Sequence, residues 1–169
     1  KRSCLAAAIL VAGCSGETPP AGQDALAANK EIVRNAEAAI NAHDYDALAR
    51  YYAEDFVRHS QATFGAEEIG RDEFVAMLDG FFTAFPDATQ TTTKLVAEGD
   101  LVAFWGAFAG TQENAMPRFP ATGRFMSSDY AGIHRIEDGK IVETWVTWDN
   151  LSMLRQLGLS PEPDAAANE

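Results

Sequence analysis

Apolar residues recur at helical spacing in three stretches of the first half of the chain, which predicts three helices. The first runs from Asp24 to about Asn41, and the second follows Asp44, which can act as its N-cap. The third runs from about Asp72 to Phe85 and ends there, because the following proline disfavours a helical conformation. It carries the heaviest apolar stripe, which we interpret as core packing. The stripe consists of Phe74, Met77, Leu78, Phe81 and Phe85.

The second half of the chain changes to runs of strand length that are rich in β-branched, aromatic and threonine residues. These runs cover residues 89–98, 101–110, 122–137 and 141–148, and a weaker alternation over residues 56–63 adds a short first strand. Helices first and strands after, at hairpin spacing, predict the α+β class with an antiparallel sheet.

The last two strands flank residues 137–140, Glu-Asp-Gly-Lys, which form a strong hairpin signal. A two-residue type I′ turn would set His134 opposite Glu143. A type I turn with a bulge at Gly139 would instead set His134 opposite Thr144. A slip of one residue moves every side chain to the other face of the sheet, so the lining of any pocket depends on this choice.

A short helix is predicted after the last strand. Asp149 can cap its N-terminus, and Gly158 is a good residue to end it. The apolar residues between them, Leu151, Leu154 and Leu157, follow helical spacing. A carboxylate at the end of a strand also fits a catalytic role, so Asp149 has two interpretations here.

The N-terminus has the composition of a targeting segment. A basic pair, Lys1-Arg2, precedes an apolar run that is too short to span a bilayer. The run ends in Val11-Ala12-Gly13-Cys14, which resembles a bacterial lipobox with Cys14 as the lipidated residue; an ordinary cleaved signal peptide is the alternative. We therefore predict a signal peptide at 1–13, a tether at 14–27, a domain at 28–159 and a disordered acidic tail at 160–169.

Charge and motifs narrow the classes of function. The formal charge of −12 disfavours nucleic acid and anionic membrane as partners. The only cysteines, Cys4 and Cys14, lie in the targeting segment, so the domain has no disulfide and no cysteine metal site. Metal-binding, phosphate-binding and nucleophile-elbow motifs do not occur. The residues leave binding in a cavity, or noncovalent acid–base chemistry without metal or cofactor.

Two histidines are candidates for that chemistry, because imidazole titrates near neutral pH. His134 lies in the middle of a predicted strand, and His59 follows the first strand-like run. Either can also be a satisfied structural histidine. In the bulged register, His134 shares a face with the candidate ligand-binding residues Tyr130, Thr144, Val146 and Trp148. Trp105 is a further candidate, because its large ring suits either a core or a ligand.

The C-terminal third also resembles a known family. The segment D-G-K-I-V-E-x-W-x-x-W-D, followed by L-x-x-L-x-Q-L-G, is similar to the SnoaL-like polyketide cyclase or ester cyclase family of the nuclear-transport-factor-2-like superfamily. Upstream the resemblance continues through A-E-D-F-V-R-H (53–59), F-P-D (85–87), A-E-G-D-L-V-A (97–103), G-T (110–111) and P-A-T-G-R (120–124), and it covers roughly residues 28–159. It implies three N-terminal helices packed on a strongly curved antiparallel sheet that encloses a conical cavity, with a short C-terminal helix.

The resemblance also implies where the chain departs from the cyclases. Their catalytic aspartate corresponds to Val146, and the accompanying histidine corresponds to Gly132. The G-T-H motif of related cyclases is Gly110-Thr111-Gln112 here. The resemblance places a pocket residue at position 146, so we predict the bulged register with Val146 facing the cavity.

Two functions fit these residues. The first is a lipid-anchored domain of the bacterial cell envelope, on its periplasmic or extracellular face, that binds a small, partly apolar or aromatic molecule. The second is a cyclase, isomerase or hydrolase that uses His134, His59 or Asp149 as acid or base. A third interpretation is a structural or assembly protein, because the resemblance also implies a possible homodimer through an exposed sheet face.

Overall fold

The structure is a computed structural model that describes residues 21–63, 65 and 67–160. The predicted signal peptide, the lipidation site Cys14 and nearly all of the predicted tail lie outside the described residues. Among those that are described, no helix is long and apolar enough to cross a membrane. Helix α1 begins at Ala21, so its first residues belong to the stretch predicted as the tether.

The described residues form four helices and six strands, which confirms the α+β class. The helices are α1 (Ala21–Asn41), α2 (Tyr45–Tyr51), α3 (Arg71–Ala84) and α4 (Asn150–Gln156). The strands are β1 (Tyr52–His59), β2 (Glu68–Gly70), β3 (Thr89–Glu98), β4 (Leu101–Thr111), β5 (Phe125–Glu137) and β6 (Lys140–Trp148). Sequence patterning missed the short strand β2 and began the first strand four residues late, at Phe56 instead of Tyr52.

The sheet is a single open layer in the order β2-β1-β6-β5-β4-β3. Its neighbouring strands are antiparallel except for β1 and β6, which run parallel, so the sheet is mixed rather than purely antiparallel. The parallel pair arises because the chain leaves β1 and returns beside it only after the whole β3–β6 meander. This pairing brings residues near position 58 next to the C-terminal strand.

The terminal hairpin combines features of both predicted registers. The turn is type I′, since Asp138 and Gly139 both have positive φ (48° and 76°) and Glu137 pairs with Lys140. The register then shifts between Arg135 and Ile136, so that His134 pairs with Thr144. The predicted pairing in the strands is confirmed, but the predicted bulge at Gly139 is wrong, because the extra residue lies further along β6.

Helix α3 packs its apolar stripe against the sheet and contributes Phe74, Leu78, Phe82 and Ala84 to the core. Phe82 and Phe85 are buried and make aromatic contacts with Phe108 of β4. Leu78 is also buried, whereas Phe81 is only partly buried and packs edge-to-face on Phe108. The stripe therefore serves as core packing, as predicted. Its partly buried members, Met77 and Phe81, also line a cavity.

Two of the short motifs that carried the family resemblance form one structural contact. Asp87 accepts hydrogen bonds from the backbone N–H of Thr111 at 2.6 Å and from its hydroxyl at 2.8 Å. These two hydrogen bonds hold the pKa of the Asp87 carboxyl below its usual value, and the backbone bond has the larger effect. Gly110 packs closely on Ala88, with room for no Cβ. The F-P-D and G-T motifs thus fix the end of α3 to the end of β4.

Candidate active site

A cavity of about 340 Å³ lies between the helices and the concave face of the sheet. Its wall is mainly aromatic and aliphatic, with polar side chains from α1, β1, β3, β5 and β6. The apolar members include Val33, Ile40, Phe56, Phe74, Met77, Leu78, Phe81, Phe104, Phe108, Met126, Val146 and Met153. The polar and amphipathic members include Glu37, Arg58, Thr63, Gln90, Thr92, Arg118, Ser128, Tyr130, His134, Thr144, Trp148 and Asn150. A largely apolar cavity with a few convergent polar groups is the usual form of a small-molecule site.

Strand register places six of these polar and amphipathic side chains in two rows across the sheet. One row joins Arg58, Thr144 and His134 on neighbouring strands. The second joins Trp148, Tyr130 and, across Gly106, Thr92. Between them, Val146 pairs with Gly132. Because side chains two residues apart in a strand share a face, both rows point into the same cavity.

His134 is buried in the first row. Its Nδ1 lies 2.7 Å from the Thr144 hydroxyl, and the Phe104 ring stacks on the imidazole with centroids 4.5 Å apart. Burial lowers the pKa of His134 to about 3, because the apolar surroundings disfavour the charged form. His134 is therefore neutral at physiological pH and is held in one orientation by Thr144.

Two glycines make room for the aromatic rings beside these rows. A Cβ on Gly132 would overlap the backbone oxygen of Trp145 and lie 2.5 Å from the Phe104 ring. A Cβ on Gly106 would lie 2.9 Å from the ring of Tyr130. Each glycine lets a neighbouring ring lie flat across the strand, which is how Phe104 reaches His134. The sequence alone did not show why glycine is needed at these two positions, because the contacts depend on the strand register.

A carboxylate that the sequence analysis did not select also lines the cavity. Glu37 projects from α1 and accepts hydrogen bonds from the backbone N–H of Thr92 at 3.1 Å and from the Thr92 hydroxyl. The Tyr130 hydroxyl lies 3.4 Å from Glu37 and 3.3 Å from Thr92. Burial is the main cause that raises the pKa of Tyr130 to about 12, so its hydroxyl stays protonated. The signal was present in the sequence, because Glu37 shares the helix face of Val33 and Ile40.

The remaining predicted residues divide between the cavity and the outside of the domain. Tyr130, Thr144, Val146 and Trp148 line the cavity. Trp105 does not: its ring is on the convex face and 46% exposed, which corrects its prediction as a cavity residue. The cause is the alternation of β4, in which its neighbours Phe104 and Gly106 take the concave face.

The structure also corrects the placement of His59 and Asp149. His59 lies on the convex face, where its Nε2 is 2.8 Å from Glu143 and its ring stacks on Trp145. Asp149 caps α4 by accepting a hydrogen bond from the Ser152 N–H at 2.9 Å, and it does not line the cavity. Neither residue is positioned to exchange a proton with a molecule in the cavity.

The residue that takes the cavity position on β1 is Arg58, the neighbour of His59. It is 3% exposed, and its guanidinium donates a hydrogen bond to the Thr63 hydroxyl at 3.0 Å. The guanidinium also lies over the Trp148 ring, 5.5 Å from its centroid. The sequence pattern could have predicted this position. Phe56, an apolar residue expected to face inward, lies two residues before Arg58, and residues two apart in a strand share a face. Within the described part of the chain, no cluster of three or more histidine, cysteine or acidic residues could hold a metal ion.

Comparison with known proteins agrees with this architecture. The family model of SnoaL-like polyketide cyclase matches residues 30–157. IdmH, a candidate polyketide cyclase from Streptomyces antibioticus, is 31% identical, with a TM-score of 0.70 over 77% of this chain and 98% of that one. No curated protein matches the chain.

Two further solved structures are similar over most of their length. TsrD from Streptomyces laurentii is 28% identical, with a TM-score of 0.70 over 79% of this chain and 97% of that one. AclR, a candidate hydroxylase from Streptomyces galilaeus, is 26% identical, with a TM-score of 0.71 over 82% of this chain and 91% of that one. The family model covers most of the described domain, and this chain therefore belongs to the SnoaL-like polyketide cyclase family.

Proposed function

We propose that the domain binds a small, partly aromatic molecule in its cavity and that it does not catalyse the usual cyclase reaction. The observation that carries this proposal is the composition of the wall. Apolar and aromatic side chains surround most of the space, and two rows of polar groups cross the sheet side of the wall. Such a wall favours a flat, largely apolar ligand with polar groups at its edges.

The residues at the centre of the wall support binding rather than proton transfer. The resemblance to the cyclases assigns their aspartate base to the position of Val146, which lines the cavity but cannot accept a proton. The loss of a positioned base typically costs about 10²–10⁴-fold in rate. His134 is a poor replacement, because a base works best with a pKa near the working pH and that of His134 is lowered to about 3. A neutral, oriented imidazole is better suited to hydrogen-bond a ligand.

An acid–base reaction without metal or cofactor is the second candidate, and one observation favours it. Glu37 places a carboxylate in the cavity wall next to the Tyr130 hydroxyl. This pair could move a proton to or from an enolisable substrate. Glu37 already accepts hydrogen bonds from the backbone N–H and the hydroxyl of Thr92, so fewer of its lone pairs are free to accept a substrate proton.

Tryptophan fluorescence can test the binding proposal directly. Trp148 lines the cavity, whereas Trp105 and Trp145 are on the convex face. Titration with naphthalene derivatives should quench the wild type, and the quenching should disappear in Trp148→Phe but persist in Trp145→Phe. Val146→Trp should fill the cavity and abolish binding, whereas Thr147→Trp, on the exposed side of the same strand, should not. Equal quenching of all these variants would contradict the proposal.

Turnover separates the two candidates. A polyketide-type ester or another enolisable substrate should be converted no faster by the wild type than by His134→Ala or Glu37→Gln. Rapid wild-type turnover that is lost in Glu37→Gln would replace the binding proposal with the catalytic one.

We propose in addition that the domain is held at the cell envelope through a lipid on Cys14. The supporting observations are the basic pair, the apolar run and the V-A-G-C sequence of residues 1–14. Mass spectrometry of the membrane fraction should find an acylated N-terminal cysteine, and cleavage at another residue would contradict this.

The homodimer allowed by the resemblance would use the convex face. Trp105, Ile133 and Trp145 are each about 40% exposed there. Analytical ultracentrifugation of wild type and Trp105→Glu should then show a dimer that the variant loses, whereas a monomeric wild type would exclude it.

A further inference from the structure

Arg58 is the most deeply buried charged side chain in the cavity wall. It is 3% exposed and lies on β1 opposite Thr144, which in turn pairs with His134. The parallel pairing of β1 with β6 brings these three residues together. A cation has therefore been placed beside two neutral hydrogen-bonding groups on one row of the concave face.

The surroundings of Arg58 do not neutralise its charge. Three arginines of the described domain are ion-paired with carboxylates: Arg34 contacts Glu31, Arg71 contacts Asp72, and Arg135 contacts Glu143. Among the described residues, no carboxylate lies within ion-pair distance of Arg58, which has only the Thr63 hydroxyl and the Trp148 ring as partners. Glu37, a carboxylate of the same cavity, is bound by Thr92 and Tyr130 instead.

Burying a charge without a counter-ion costs free energy, so such a site favours a ligand that brings the opposite charge. Burial lowers the pKa of Arg58 to about 10, which leaves it protonated at neutral pH. A guanidinium has five N–H donors, and one of them is used by Thr63. Its planar fork matches the two oxygens of a carboxylate better than any neutral group.

We infer that Arg58 is an anion-binding residue of the cavity and that the ligand is an aromatic carboxylic acid. The carboxylate would bind the guanidinium of Arg58, and the aromatic part would extend over Val146 and Phe104. The Thr144 hydroxyl and the imidazole of His134, next in the same row, would contact a polar substituent on the ring. This inference rests on the proposed binding function and adds the chemical class of the ligand.

The test compares two probes of nearly equal shape, naphthalene carboxylate and naphthalene carboxamide, by calorimetric titration near neutral pH. The wild type should bind the carboxylate roughly 10- to 100-fold more tightly, the range expected for charge-assisted hydrogen bonds. Arg58→Met should lose this preference and still bind the carboxamide within about threefold, since it keeps the length of the side chain but not the charge. Arg58→Lys should keep part of the preference, because it retains the charge without the fork.

Arg50 supplies the matched control, because it is an exposed arginine in the last turn of α2 and does not line the cavity. Arg50→Met should keep the carboxylate preference. A thermal melt gives an independent measurement: the carboxylate should raise the melting temperature of the wild type more than that of Arg58→Met. If Arg58→Met fails to fold, the reduced preference of Arg58→Lys carries the test.

Three results would overturn the inference: equal binding of the two probes by the wild type, a full preference that survives in both Arg58 variants, or a preference lost in Arg50→Met instead. These results leave the proposed binding function intact, because the probes still bind. Failure of both probes to bind the wild type would overturn the proposed function itself.

Discussion

Two histidines flank β6 on opposite faces of the sheet, and their surroundings differ in almost every respect. His134 is on the concave face, with one hydroxyl partner and an aromatic ring stacked on it. His59 is on the convex face, where Glu143 lies 2.8 Å and Glu68 lies 3.4 Å from its ring nitrogens. The first is enclosed among neutral groups, and the second belongs to a half-exposed charge network that includes Arg135.

The comparison extends to the strand between them. Thr144, Val146 and Trp148 of β6 line the cavity, whereas Glu143 and Trp145 face outward. Around Gly132 and His134 the concave face is closely packed and offers few polar partners, so changes there should be costly. The convex face has partners that are open to solvent, so changes there should cost little.

The largest effect is expected at Gly132, where the concave face has no room for another atom. Gly132→Ala should destabilise the domain by about 2–3 kcal/mol, because the new Cβ meets backbone as well as the Phe104 ring. Gly80→Ala is the matched control: nothing lies within 4 Å of Gly80, which is exposed in α3, so this change should be neutral or stabilising. Urea unfolding measures both, and equal stability of the two variants would show that the concave face is loosely packed.

The pH dependence of stability should come next. The pKa of His134 is lowered from 6.5 to about 3 on folding, so the unfolded chain takes up a proton first as the pH falls. Stability should therefore be complete above about pH 6.5 and decline below it, by about 2 kcal/mol at about pH 5. Urea unfolding across this range should show the decline in wild type and in His59→Gln but not in His134→Gln. A decline that persists in His134→Gln would assign it to another group.

A smaller loss is expected when the partner of His134 is removed. Thr144→Val keeps the shape of the side chain but leaves Nδ1 of His134 without its hydroxyl, which should cost about 1–2 kcal/mol. Thr147→Val, at the exposed position on the same strand, should change stability by less than about 0.5 kcal/mol. Thermal melts of the pair measure the difference, and matching values would mean that the hydrogen bond contributes nothing.

The smallest effect is expected on the convex face. Glu143→Gln removes the carboxylate that pairs with Arg135 and His59, yet the side chain is 21% exposed and the pairs are screened by solvent. A loss of about 0.5–1 kcal/mol is expected, and it should shrink as salt is added. A loss that exceeds that of Thr144→Val would reverse the ranking of the two faces.

Helical spacing and hairpin signals were enough to predict the helices and the long strands. The pairing of His134 with Thr144 also needed the family resemblance, because the turn sequence allows two registers. The position of the turn at residues 138–139 was also predicted correctly. The bulge was wrongly predicted at Gly139, because its position along β6 depends on contacts that the local sequence does not show. The start of β1 was missed for a similar reason. Tyr52 continues the apolar spacing of α2, and its extended conformation follows from tertiary packing.

The cavity residues were harder to predict, because a shift of one residue along a strand moves a side chain from one face of the sheet to the other. His59 was chosen because imidazole is a versatile catalytic group, yet its neighbour Arg58 takes the inward position. Glu37 was overlooked because its helix was interpreted only for its apolar face. In both cases the residue that lines the cavity was the one whose burial depends on long-range contacts with other strands.

The most direct test of the account is a map of ligand contacts by nuclear magnetic resonance. Backbone amide shifts of ¹⁵N-labelled domain should be followed during titration with naphthalene carboxylate. The account predicts that the shifts concentrate at the concave positions, including Arg58, Gly132 and Val146, while Trp105, Thr147 and the outer-face Glu143 stay nearly unchanged. Shifts centred on the exposed tryptophans of the convex face, with the concave positions unaffected, would contradict the claim that this cavity is the binding site.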